Sequence, residues 1–268
     1  MRHRLLISVF SLLAASACLC LAFMNRAGDV NDGGLARYKV SAKQEIRHDL
    51  SAYTQGLFFY EGRMFESTGQ YGESSFREVD PATGKVLRQE ILPAEYFGEG
   101  SCAFDGRAYI LTWYEGLCLV YDIETFVKLA EFPYHGQGWG LTTDGNSLIM
   151  SNGTSVLSFR DPVTFMEQRT LEVKDGVRPV PYLNELEYID GEIWANVYGQ
   201  DFIVIIDPVS GQLTGRIDCT GLLDARYRTS STDVLNGIAC NPDDGSVYLT
   251  GKYWPRMYKV DIASVGER

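Results

Sequence analysis

Histidine is almost missing from this chain. Its 268 residues contain three, His3, His48 and His135, which excludes a zinc centre built on several histidines. Cysteine is sparse and scattered beyond the N-terminal segment, so a thiolate-rich centre is a poor fit too. Basic charge is also in short supply. Lys and Arg number 24 against 35 Asp and Glu, a net charge of −11. Residues 1–26 hold three arginines and no acid, which leaves 21 basic against 35 acidic side chains, or −14, for the rest. So acidic a body repels phosphate backbones, and no nucleic-acid partner is expected.

The one long apolar run lies at the N-terminus. Arg2 and Arg4 precede Leu5 to Phe23, and Asn25-Arg26 with a polar Gly/Asp stretch closes it. These nineteen apolar or small residues fall between a long signal peptide and a membrane anchor. Residues 1–27 are therefore expected to be a signal peptide or anchor, and residues 28–268 a single exported domain, periplasmic or extracellular. It would touch a membrane only through that segment. Ala15-Ser16-Ala17 before Cys18 offers a small-residue cleavage site and faintly resembles a lipoprotein box. An oxidising compartment permits disulfides, but spacing fixes no pairing among Cys102, Cys118, Cys219 and Cys240, and buried free thiols fit equally well.

What the chain has in abundance is glycine (27 residues) and aromatic side chains (12%), the material of short strands and tight turns. An acidic residue followed by glycine recurs at Glu61-Gly62, Asp105-Gly106, Asp144-Gly145, Asp190-Gly191 and Asp244-Gly245, at intervals of 44, 39, 46 and 54 residues. An alternating strand follows each, and an aspartate closes a further strand at Asp80, Asp122, Asp161, Asp207 and Asp261. The offsets from turn to aspartate are 19, 17, 17, 17 and 17 residues. A strand-rich repeat of this length is the mark of a propeller blade, and Asp-Gly supplies the positive φ of a two-residue hairpin. The expected fold is all-β: a five-bladed β-propeller of four-stranded antiparallel blades. The fifth repeat runs out near Val265, so the N-terminal segment Ala36 to Ile46 is expected to supply its outer strand, close the ring and hide two sheet edges. A β-sandwich shares the short strands but does not require a constant offset.

In such a ring the strand before each acidic-Gly turn lines the central channel. Six positions before the turn stand Gln55, Glu99, Gly138 with Trp139 beside it, and Asn184; the fifth repeat, two residues longer, offers Asn236. Polar groups matched in this way converge, and neighbouring glycines allow close approach. Such groups can equally bond to one another and to trapped water. Trp113, Trp139, Tyr198 and Lys252-Tyr253-Trp254 end strands on the same side, where they would wall a small pocket. Lys252 is either an ordinary surface lysine or an ammonium pointing into a pocket that contains Glu99.

Seven stretches in order carry a resemblance: Thr54-Gln55-Gly56-Leu57, Glu66-Ser67-Thr68-Gly69, Tyr96-Phe97-Gly98-Glu99-Gly100, Gly138-Trp139-Gly140-Leu141, Leu183-Asn184-Glu185-Leu186-Glu187-Tyr188, Asp233-Val234-Leu235-Asn236-Gly237 and Thr250-Gly251-Lys252. They resemble the plant and bacterial type of glutaminyl-peptide cyclotransferase, a five-bladed propeller family, over about Tyr53 to Tyr258. The resemblance implies cyclisation of N-terminal glutamine in peptides or proteins to pyroglutamate, with release of ammonia. It places the catalytic glutamate on Glu99 and the essential lysine on Lys252. Substrate contacts fall on Gln55 and Asn184, and pocket aromatics on Phe97, Trp113 and Trp139; Tyr198 and Asn236 complete the expected binding set. No cofactor is implied, although the channel leaves room for a structural divalent cation. Tyr53 and Tyr198 stand where the family usually has Phe and Trp, Asn152 replaces an aspartate, and Gln137 replaces an acid beside Trp139. Two other functions compete. One is a non-catalytic propeller that binds peptide or carbohydrate through its polar ring. The other is a metal-dependent lactonase-like centre drawing on Glu99, Asn184 and Asn236, which Lys252 and the tryptophans disfavour.

Overall fold

The computed structural model describes residues 34–266; the segment read above as a leader, residues 1–27, lies outside them. The described chain is all-β, with one short helical turn at Ala225–Tyr227. After β1 (Ala36–Arg47) come β2 (Thr54–Tyr60), β3 (Arg63–Thr68), β4 (Ser75–Val79) and β5 (Val86–Ile91), which form one four-stranded antiparallel sheet in sequence order. A second consists of β6 (Gly98–Phe104), β7 (Arg107–Thr112), β8 (Leu117–Asp122) and β9 (Lys128–Pro133). A third holds β10 (Leu141–Thr143), β11 (Leu148–Met150), β12 (Val156–Arg160) and β13 (Glu167–Glu172). A small ribbon, β14 (Lys174–Asp175) with β15 (Arg178–Pro179), precedes β16 (Leu183–Ile189), β17 (Glu192–Val197), β18 (Phe202–Ile206) and β19 (Leu213–Asp218). The last strands are β20 (Leu235–Asn241), β21 (Ser246–Gly251) and β22 (Arg256–Ser264).

β1 joins the last two groups. It runs antiparallel to β22, from Tyr38 opposite Ser264 to Arg47 opposite Arg256, as expected for an N-terminal outer strand. Unexpectedly, its start also pairs in parallel with β19, Ala36 opposite Gly215, which fuses eight strands into one sheet. Asp261 does not close a strand: it sits inside β22 opposite Ser41, because the pairing with β1 carries that strand on to Ser264. The other four aspartates do end their strands. Asp122, Asp161 and Asp207 each accept backbone N–H bonds from the residues two and three positions on, and Asp80 accepts from the N–H of Ala82 and the hydroxyl of Thr83.

The acidic-Gly turns divide into two kinds. Both residues have positive φ at Glu61-Gly62, Asp105-Gly106 and Asp190-Gly191, the geometry of a two-residue hairpin. At Asp144-Gly145 and Asp244-Gly245 only the glycine does, and the strands are joined by four residues. In those longer turns Asp144 and Asp244 accept N–H bonds from the residues that follow, which stabilises the wider loop.

Core clusters form where neighbouring sheets meet. Phe58, Phe65 and Phe76 meet Ile110, Leu119 and Tyr121; Cys102, Tyr109 and Cys118 meet Leu148 and Phe165; Ile149, Leu157 and Phe159 meet Ile193 and Val204. All four cysteines of the described chain are free thiols.

The first strand of each group packs edge-on against the first strands of its neighbours. Gly100 N–H donates to the Trp139 carbonyl at 2.7 Å, and a side chain at Gly100 or Gly140 would collide with the adjoining backbone. The remaining edge groups are met by side chains. Glu185 accepts from Leu57 N–H on β2 (3.3 Å) and Ile238 N–H on β20 (2.9 Å), while Glu187 accepts from Cys240 N–H (3.0 Å). Burial pushes the Glu187 carboxyl up to about 8 against the bonds that oppose it. Between its ordinary value and about pH 8 the folded chain therefore holds a proton that the unfolded chain has lost, so stability falls as pH rises through this window. Glu187→Gln is expected to flatten the dependence of melting temperature on pH across pH 5–8 and to melt above wild type at pH 8, as thermal denaturation would show. Parallel profiles for the two proteins would contradict this.

Candidate active site

Four of the first strands begin with a bulge at the same place. Pairing slips between Thr54 and Gly56 in β2, Gly98 and Ser101 in β6, Leu183 and Leu186 in β16, and Leu235 and Ile238 in β20. A bulge re-aims a side chain out of the strand's alternation. The first residues inside these slips are Gln55, Glu99, Asn184 and Asn236, the positions found by counting back from the turns, and Gly100, Glu185 and Gly237 follow in the three wider ones. In the third sheet the matching segment, Gly138-Trp139-Gly140, precedes β10 and is tied by Trp139 N–H to the Ser151 carbonyl.

In an antiparallel pair the end of the second strand lies beside the start of the first. Trp113, Tyr198 and Lys252 follow β7, β17 and β21 and so arrive at the same end of their sheets as the bulges. Trp113 N–H donates to the Phe97 carbonyl (3.0 Å), and Lys252 N–H to that of Val234 (2.9 Å). These segments surround a cavity of about 410 Å³ lined by Gln55, Phe97, Glu99, Trp113, Trp139, Asn184, Tyr198 and Lys252. Eight of the nine expected site residues thus meet. Asn236 does not. Fully buried behind the cavity, it donates its amide to the Thr54 carbonyl (2.9 Å) and to Gln55 Oε1 (3.4 Å), so it braces Gln55 from below.

Lys252 is no surface lysine: it is 3% exposed, and Glu99 is 4% exposed. The lysine ammonium lies over the rings of Tyr53 (4.6 Å to the centroid) and Tyr198 (5.4 Å). Burial drives its pKa down, against the pull of Glu99 and Asp233. The Glu99 carboxyl is raised well above the ordinary range, chiefly by burial and further by Glu115, with Lys252 opposing. The two charges shift toward neutrality from opposite sides.

Three residues escaped the reading of site positions. Tyr53, known only as a departure from the family pattern, turns its ring to the cavity and its hydroxyl toward Asp233 (3.4 Å). Gln70 also lines the cavity, from a positive-φ position after Gly69, and no sequence signal marks it. Gln137 Oε1 accepts both indole N–H groups, from Trp113 at 2.9 Å and Trp139 at 3.0 Å. One carbonyl oxygen therefore orients both rings. A polar residue between Gly136 and Gly138, two positions before a tryptophan, was the available signal. Asn152, the position where an aspartate is replaced, accepts from the N–H and hydroxyl of Thr154 in a local turn.

Among the described residues no group of three or more His, Cys, Asp or Glu side chains is placed to hold a metal ion. Glu185 and Glu187, the carboxylates nearest the centre, already accept a hydrogen bond on each oxygen, from Leu57, Ile238, Cys240 and Thr142. That donor set suits strand edges better than a cation.

Comparison with known proteins identifies the family. The family model described as glutamine cyclotransferase matches residues 13–262. A glutaminyl-peptide cyclotransferase of Arabidopsis thaliana is 42% identical over 231 residues, 84% of this chain and 71% of that protein. The crystal structure of Myxococcus xanthus glutaminyl cyclase superposes with a TM-score of 0.81 at 33% identity, over 87% of this chain and all of that one. With a family model matched over nearly its whole length and a relative 42% identical over 84% of it, this chain belongs to the glutamine cyclotransferase family.

Proposed function

We propose that this protein is a glutaminyl-peptide cyclotransferase, a five-bladed β-propeller that converts N-terminal glutamine to pyroglutamate and releases ammonia. The observation that carries the reading is a buried carboxylate and a buried ammonium in one cavity with three side-chain amides and five aromatic rings. Support for five blades comes from the succession of edge-to-edge first strands and from core clusters shared between neighbouring sheets. The charged, then apolar, segment before residue 28 supports export.

In the reaction the α-nitrogen attacks the γ-carboxamide carbon, the five-membered ring closes, and the former amide nitrogen departs as ammonia. Nucleophile and electrophile belong to one residue, so the cavity need only hold the folded rotamer. Gln55 and Asn184 bind the amide and the first peptide carbonyl. Phe97, Trp113 and Trp139 pack the methylenes and keep water out.

The α-ammonium has an ordinary pKa of about 7.7–8.0, so about one amine in ten is neutral at pH 7. Glu99 takes one proton from the remainder and hands it to the amide nitrogen. It then takes a second from the ring nitrogen as ammonia departs, a proton it afterwards yields to water or to the ammonia, base and acid in turn. Its raised pKa brings it closer to the amine and eases transfer both ways. Lys252 stabilises the oxygen as it gains negative charge. No step draws on a cofactor.

Glu99→Gln is expected to fold as wild type yet to lose roughly 10²–10⁴ in ammonia release from a Gln-initiated peptide. Lys252→Ala should lose roughly 10²–10³ in kcat. Wild-type turnover by Glu99→Gln would remove Glu99 from the mechanism, whereas equal binding of Gln-, Glu- and Ala-initiated peptides without ammonia release would point instead to a binding protein. Gln137→Leu leaves two indole N–H groups without their acceptor, worth about 1–3 kcal/mol in lost orientation and satisfaction. It should raise KM about tenfold with a smaller effect on kcat in steady-state assays.

A further inference from the structure

Beneath the cavity lies a buried charged network that the chemistry above leaves unused. His48 is 7% exposed and Glu66 1%. His48 Nε2 lies 2.9 Å from Glu66 Oε1, and its Nδ1 lies 2.8 Å from the Trp254 carbonyl oxygen, with the Thr250 hydroxyl at 3.2 Å. Glu66 also accepts from the Thr54 hydroxyl (2.7 Å) and faces Arg77 Nη1 (3.8 Å), which in turn pairs with Asp49 (2.8 Å). A carboxylate and a backbone carbonyl are both acceptors, so a ring that donates from both nitrogens satisfies both. Burial alone would lower the His48 pKa, and Arg77 works in the same direction, but Glu66 and the Trp254 carbonyl together raise it.

The segments that meet the His48–Glu66 pair also carry cavity residues. Thr54 sits between Tyr53 and Gln55, Glu66 lies on the strand that leads to Gln70, and Thr250 and Trp254 flank Lys252. The turn at Lys252 is the least regular of these. Tyr253 has positive φ (56°), its N–H donates to Ala52, and the indole of Trp254 donates to the Asp233 carbonyl (2.9 Å). The Trp254 carbonyl therefore faces inward, where His48 meets it.

We propose that His48 is a positioning residue for Lys252, clamping the Gly251–Trp254 turn onto Glu66 of the first sheet so that the lysine ammonium is held beside Tyr53. The inference rests on the role given to Lys252 above, and a double-mutant cycle separates the two. His48→Gln keeps one donor for Glu66 and gives up the Trp254 carbonyl. It is expected to lower kcat about tenfold, with KM changed less than about threefold, while the protein still melts cooperatively. In a Lys252→Ala background the same substitution should cost less than about twofold, because the group it positions is gone. A tenfold loss in both backgrounds, or no loss in either, overturns the proposal while leaving the role of Lys252 intact. Full activity in Lys252→Ala overturns both. Should His48→Gln fail to fold, Thr250→Val removes the neighbouring hydroxyl with little change of shape, and its loss of kcat must likewise vanish without Lys252.

Discussion

The first strand of every sheet has one edge that no fifth strand covers, and the rest of the molecule is arranged around satisfying it. Buried N–H and C=O groups left alone are costly, and at the centre no water-facing side exists to relieve them. Glu185 answers this constraint most directly. Its two oxygens take N–H groups from two different strands, β2 and β20, which no ladder could join. Ser67 does the same on a smaller scale by donating to the Glu99 carbonyl, and Ser151 by donating to that of Asn184. A buried carboxylate is a costly tie, and burial raises Glu185 well above its ordinary pKa. It is retained where one side chain must supply two acceptors to separate strands.

The same edge accounts for the site. A regular first strand would send alternate side chains into the two neighbouring cores. The bulges at its start break that alternation, and three of them release a polar residue, Gln55, Glu99 or Asn184, toward the cavity. Because the second strand finishes beside the first, the aromatic and lysine positions reach the cavity without long loops. Groups mounted on strand ends are held closely, which is what a reaction between two atoms of one residue demands of its container.

How far this was legible follows from the kind of signal each feature leaves. Turn chemistry is local, so the acidic-Gly pairs revealed the sheets and, by counting, the bulged residues. Two of those turns proved longer than a two-residue hairpin, since Gly145 and Gly245 alone carry the positive φ and a repeated dipeptide does not fix loop length. Asp261 followed the spacing of its counterparts, yet pairing with β1 overrode it, a long-range effect no local pattern encodes. Asn236 shared the count of Gln55 and Asn184, but its amide found the Thr54 carbonyl first. Gln137 drew notice only as the loss of a charge, and its role as an acceptor shared by two indoles depends on where the fold brings Trp113. The His48 network was invisible because its members lie far apart in sequence, Trp254 being 206 residues from His48.

Burying an ammonium and a carboxylate in one cup is unfavourable for each, and the opposed shifts of Lys252 and Glu99 record that strain. On the proposed chemistry the strain is useful because the substrate brings its own charge. An entering α-ammonium is drawn to Glu99 and repelled by Lys252, and both effects favour passing its proton to the carboxylate. Once Glu99 is neutral, Lys252 keeps only the weaker pull of Asp233 and the ring faces of Tyr53 and Tyr198. The oxygen that gains negative charge as the ring closes then supplies the missing partner, so the strongest pairing in the cavity forms at the transition state and not before it.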